Sequence, residues 1–324
     1  MKLHLRIRHF IAENQILMIC VALVLGYVFP TFFRIFAPYT TPLLMGVFFA
    51  SSLNLDQREL FTDAKDWKML LVTTFLMLIV MPFILWLPVK LFAPEWALAF
   101  LIVGAMPTGL TIALIAEPLG GRIPLAMIIS AATSLLCPIT IPLVLTLAIG
   151  KSINIPALPL FGSLMLTIVT PFVAALLVKA KAKKFITRYE LIWREISILL
   201  FGVVIAAIEA DSIGLGQKLP SGWDTFAIVS LMTICMGGIG CLGYAIANWR
   251  TPAERITIAM SLVYMNNTLA LYVANEYFKA QNILPQLLVI VTAVSALLLP
   301  IKWAASHLSK KSSKLKLRVP HPIF

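Results

Sequence analysis

Two short polar segments interrupt two of the charge-free apolar stretches of this chain. Met106-Pro107-Thr108-Gly109 lies inside the charge-free run 96–116, and Asn266-Asn267-Thr268 lies inside the run 256–275. Proline lacks an amide donor and clashes with the preceding helical turn, and glycine weakens a helix. Asparagine and threonine are costly in hydrocarbon and therefore face protein or a water-filled cavity. The chemistry such segments can perform is non-covalent. Freed amides, carbonyls and half-helix dipoles can hold a polar solute near the midplane of a membrane. Taken alone, Pro107 reads as an ordinary kink, and the asparagine pair as an interhelical hydrogen bond. Their matched positions in the chain favour a solute site.

Bond-making chemistry has little to work with. The four histidines, His4, His9, His307 and His321, sit near the two ends, and the four cysteines lie inside apolar runs without metal-ligand spacing. No nucleophile, base or acid cluster occurs at membrane depth, so no enzyme and no resident cofactor are expected. Gly238-Ile239-Gly240-Cys241-Leu242-Gly243 matches a dinucleotide fingerprint but lies within an apolar run, where small residues serve helix packing.

The elements that must position these segments follow from composition. The 324 residues include only 26 Lys and Arg and 14 Asp and Glu, and 60% are hydrophobic, against about 45–50% in a typical soluble domain. That balance excludes a soluble enzyme or a disordered chain. The net charge of +12 comes from basic clusters between apolar blocks, a topology signal rather than a nucleic-acid surface. Nine runs of 20 or more residues lack charge: 14–33, 35–55, 69–89, 96–116, 123–150, 152–178, 225–249, 256–275 and 280–301. About 20 apolar residues cross the hydrocarbon core as a helix. A tenth, weaker candidate is 196–208, extendable past Arg194 and Glu195. With ten spans and a cytoplasmic N-terminus, 21 basic residues fall inside and 5 outside; nine spans give 15 and 11. The expectation is an all-α polytopic protein of the cell (inner) membrane, with ten transmembrane helices and both termini cytoplasmic. The first run reads as an uncleaved span, and the basic residues of 310–318 as an anchor near anionic lipid.

Ten spans divide into two inverted halves, about 10–150 and 152–308, followed by a tail at 309–324. AMIISAATSLLCP at 126–138 and LVIVTAVSALLLP at 288–300 share five of thirteen identities, in the fifth span of each half. The interruptions fall in spans 4 and 9, the fourth of each half, where a secondary transporter builds its site. Glu209 and Asp211, at the face opposite Glu117, are expected to be solvated, and Glu117 to be an interfacial carboxylate near Arg122.

LLMGVFFASSLNLDQREL at 43–60, IVMPF at 79–83, the unit at 107–142 and YMNNTLALYVANEYF at 264–278 resemble the bile acid:sodium symporter family and its bacterial homologues. The resemblance implies two inverted five-helix repeats with broken helices 4 and 9. Spans 3–5 and 8–10 would form a core, and spans 1, 2, 6 and 7 a panel. It implies a small organic anion as the solute, with sodium. The family's sodium-ligand positions hold Met77, Ile112, Ala113, Ser261 and Met265 here, so the usual glutamate is missing and coupling is expected to be lost or rebuilt. The substrate-binding set is Thr108, Thr111, Tyr264, Asn266, Asn267 and Thr268; Ser130, Thr133 and Ser261 are candidates for an ion site. The alternatives are a membrane sensor or non-transporting subunit on the same fold, and an arsenite-type efflux permease, for which residues 105–116 lack the expected cysteine.

Overall fold

A computed structural model describes residues 15–54, 66–109, 112–150, 152–153, 155–216 and 222–294. Among them all regular structure is helical. The helices are α1 (Gln15–Val28), α2 (Pro30–Ser52), α3 (Trp67–Phe92), α4 (Pro94–Gly104), α5 (Ala113–Ala116), α6 (Ile123–Ile149) and α7 (Ala157–Lys181). They continue with α8 (Lys183–Arg188), α9 (Glu190–Gly214), α10 (Gly222–Ile246), α11 (Pro252–Val263), α12 (Asn267–Tyr277) and α13 (Leu284–Val294). Six are long and apolar enough to cross a membrane: α2, α3, α6, α7, α9 and, within α10, Thr225–Ile246. The chain is therefore a multi-pass membrane protein. The weak run at 196–208 forms the middle of the 25-residue α9, which continues through Arg194 and Glu195.

Proline shapes the long helices without ending them. In α3 the turn Leu76–Val80 is a π-turn just before Met81-Pro82, and in α7 the turn Met165–Val169 precedes Thr170-Pro171. A proline cannot donate to the carbonyl four residues back, and its ring crowds that carbonyl. Widening the preceding turn relieves the crowding and keeps the helix continuous.

The helices pack in two groups, joined where α6 lies against α7. In the first, α9 packs along α1 and α2, and α7 packs on α2. Gly26 allows the closest approach, since a Cβ there would lie 2.6 Å from the Ala206 carbonyl oxygen. In the second group α3 packs on α4, α10 on α11, and α6 on α11 and the π-turn of α3. Here two glycines of the dinucleotide-like motif serve packing: a Cβ on Gly243 would meet the Leu262 side chain at 2.6 Å and Ala259 Cα at 3.1 Å, and one on Gly240 would meet Val263 at 3.3 Å, whereas Gly238 has open space around it. The interrupted helices lie deepest. Residues 99–106 and 267–275 are buried on every side; the first stretch is apolar all round, as such burial requires, whereas the second also buries Asn267, Thr268 and Asn275. The long helices instead present Leu91, Phe92, Leu158 and Ile234 outward, where lipid would cover them.

Asp211 corrects the expectation that it is solvated. It is 8% exposed, its Oδ2 accepts from Lys279 Nζ at 2.9 Å, and its Oδ1 lies 3.8 Å from Arg34 Nε. The partners are 68 and 177 residues away in sequence, so only the fold brings them together. Glu209 is not fully solvated either; it is partly buried and its Oε2 is enclosed without a hydrogen-bond partner.

Candidate functional site

The two interruptions meet. α4 ends at Gly104, α11 ends at Val263, and the extended residues that follow cross as a short antiparallel bridge between Thr108 and Met265. The Gly109 amide donates to the Tyr264 carbonyl at 2.8 Å, and the Asn266 amide donates to the Pro107 carbonyl at 2.8 Å. Backbone groups released by the breaks thus pair with one another, which a buried unwound segment requires. Gly109 is needed at the crossing because the Tyr264 ring lies directly against it.

Helix α6 supports the crossing from behind. The Thr108 amide donates to Thr133 Oγ1 at 3.2 Å, Thr108 Oγ1 donates to the Ser261 carbonyl at 3.0 Å, and Ser130 Oγ lies 3.3 Å from the carbonyls of both Thr108 and Gly109. Ser261 Oγ donates within its own helix to the Thr257 carbonyl at 2.8 Å. Ser130, Thr133 and Ser261 are therefore brought to one cluster, together with Thr108. The cluster offers oxygen atoms, the donor type a hard cation prefers, but all are neutral. Met77 and Ile112 are fully buried, and Met265 is nearly so. Among the described residues no group of three or more His, Cys, Asp or Glu could hold a metal ion.

In front of the crossing lies a cavity of about 40 Å³. Gly109 and residues 264–268 form one wall, and α1, α2 and α9 form the other through Ile19, Phe48, Ser51, Ser197 and Phe201. Tyr264, Asn266, Asn267 and Thr268 thus line it, whereas the Thr108 side chain is turned to α11 and its backbone amide and carbonyl to α6; Thr111 lies outside the described residues. The adjacent asparagines differ in role. Asn266 caps α12, its Oδ1 accepting from the Leu269 amide at 3.2 Å. Asn267 is 7% exposed and its Oδ1 has no protein partner. The positive end of α12 points at the same space. The opposite wall was not found from sequence: Ser51 and Ser197 sit in unbroken helices, and only the Ser51-Ser52 pair within an apolar run hinted at it.

The sequence profile described as the Sodium Bile acid symporter family matches residues 41–215, more than half of the chain. This chain belongs to the sodium bile acid symporter family. Over 326 aligned residues it is 25% identical to the "Uncharacterized sodium-dependent transporter YocS" of Bacillus subtilis (strain 168), covering 96% of this chain and 98% of that protein. It is 31% identical over 168 residues to "Sodium/bile acid cotransporter 7" of Rattus norvegicus, covering 50% of this chain and 47% of that one. Against "Sodium/bile acid cotransporter 7-A" of Xenopus laevis the identity is 27% over 194 residues, 58% and 56% of the two chains. The matches thus span about half the length of these vertebrate relatives. Membership makes the chain a membrane transporter by family, and the family match lends no support to a sensor or an arsenite permease.

Proposed function

We propose that the chain moves a small organic anion across the cell membrane by alternating access. The observation that carries this reading is the crossing of two broken helices at a cavity walled by the other helix group. A solute there touches both groups, so its binding responds to any motion between them. In this reading α3–α6 and α10–α13 belong to a core, α1, α2, α7 and α9 to a panel, and ten spans form two inverted repeats with both termini in the cytoplasm. The basic-residue bias supports that topology.

Anion recognition rests on dipoles rather than on a full charge. Among the described residues that line the cavity none is charged. The N-terminus of α12 supplies a positive potential, and the Asn267 carboxamide, turned about its last torsion, supplies an N–H donor. The cavity of about 40 Å³ is far below the roughly 300–1,000 Å³ that encloses a drug-sized ligand. Binding therefore requires the core and panel to separate.

Sodium is the coupling ion suggested by the relatives' names. Here it would be held by neutral oxygens alone, around Thr108, Ser130, Thr133 and Ser261, so sodium coupling is weakened. A thermal-shift screen of the purified protein against organic anions, with and without sodium, tests the substrate class, because a ligand of the folded state raises apparent stability. No shift with any organic anion would count against that class. Reconstituted uptake with and without a sodium gradient tests the coupling, and strong sodium dependence would overturn the weakened-coupling reading.

A further inference from the structure

We propose that Lys279 and Asp211 form a reversible latch between core and panel, at the end of the molecule remote from the cavity. The structure is then the state closed at that end. The inference rests on the alternating-access reading above.

Helices α9 and α12 lie side by side. Phe201 on α9 and Asn267 on α12 both line the cavity. Ten residues further along each helix, about 15 Å at 1.5 Å per residue, stand Asp211 and Tyr277. Lys279 follows in the next turn and donates to Asp211 Oδ2 at 2.9 Å. The two helices therefore share the cavity at one level and an ion pair at another.

The roles around Asp211 divide by group. Arg34 sits in α2 and Asp211 in α9, so their 3.8 Å approach lies inside the panel and holds the carboxylate in place. The bond from Lys279 crosses to the core. Below it, Thr40 Oγ1 donates to Glu276 Oε1 at 3.4 Å, and Thr41 Oγ1 lies 3.2 Å from Tyr272 Oη. These too run from α2 to α12, and water can replace each of them when the surfaces part.

The strength of the pair suits a latch. The Lys279 side chain is 46% exposed and that of Asp211 11% exposed. A pair open to water on one side contributes little net stability and separates readily. A fully desolvated pair would leave an uncompensated buried charge on opening and would lock the protein. The plain alternative is an ion pair that only staples two helices in every state. The two differ in whether breaking the pair changes how often this end opens.

Distances between spin labels at Leu215→Cys and Gln281→Cys, both exposed positions beside the pair, read that opening. The protein is reconstituted in liposomes, in a background lacking the four native cysteines. Lys279→Gln is expected to raise the long-distance population about two- to five-fold, the range a weak ion pair allows. Asp211→Asn is expected to do the same, while Lys279→Arg keeps the parent distribution. An unchanged distribution in both Lys279→Gln and Asp211→Asn overturns the latch, whether or not the variants transport. A shifted distribution in a protein that moves no anion supports the latch and counts against the proposed transport instead.

Discussion

A Cβ on Gly109 would lie 2.4 Å from Cε1 of Tyr264. The two helix breaks therefore touch with no space for even a methyl group, at the point where the Gly109 amide meets the Tyr264 carbonyl. Gly109→Ala is expected to displace the ring and destabilise the crossing by about 1–3 kcal/mol, the usual cost of overpacking. The double variant Gly109→Ala/Tyr264→Ala should recover part of that loss. Thermal unfolding in detergent checks both, and additive losses in the double variant would show that the ring is not the obstacle.

Asn266 and Asn267 should separate in experiment. Asn266→Ala removes a helix cap and is expected to cost about 0.5–2 kcal/mol of stability. Asn267→Ala removes no protein partner of Oδ1 and should leave thermal stability close to the parent while abolishing the shift produced by a bound anion. Thermal-shift titration of both variants reads the two effects together. A retained shift in Asn267→Ala would remove this side chain from the solute site.

Thr133 is expected to matter through its hydroxyl and not its volume. Its Oγ1 accepts from the buried Thr108 amide at 3.2 Å and donates to the Ile129 carbonyl at 2.7 Å. Thr133→Val keeps the shape and strands the amide, at a cost of about 1–3 kcal/mol. Thr133→Ser keeps the acceptor and should lose much less. Equal losses in the two variants would point to packing instead.

Acid should act through Glu254, which stands ahead of the charge-free run 256–275. Burial pushes its pKa up, but hydrogen bonds from Thr251 and the Arg122 guanidinium at 2.7 Å outweigh this, and the net shift is downward. A carboxylate whose folded pKa is depressed contributes stability that is full above its unfolded value, about 4.3. That contribution is lost as pH falls through the folded value. Glu254→Gln is therefore expected to be less stable at neutral pH and to lose less between about pH 5 and the acid limit. Unfolding midpoints across that range check the sign, and parallel curves for parent and variant would refute it.

Particular residues show how far the chain could be read in advance. The charge-free runs were legible because hydrocarbon excludes charged groups, and even the weak run at 196–208 marked the centre of α9. Pro107 and Asn266-Asn267-Thr268 were legible as breaks, since each breaks a rule of helix or membrane composition. The division between a capping Asn266 and an unpartnered Asn267 was not, because one residue of offset on a helix start decides it. Asp211 was misread as solvated because Lys279 and Arg34 reach it only through the packing of α9 against α2 and α12.

By its sequence alone, this protein is committed to the membrane and to two interrupted helices, because those outcomes depend on local composition and backbone chemistry. Which interruption pairs with which, which oxygens face α6 and which face the cavity, and which charges meet across the helix groups were decided only by tertiary structure. Those relations join residues that are distant along the chain, and hydrogen bonding and packing define them only after the helices have come together.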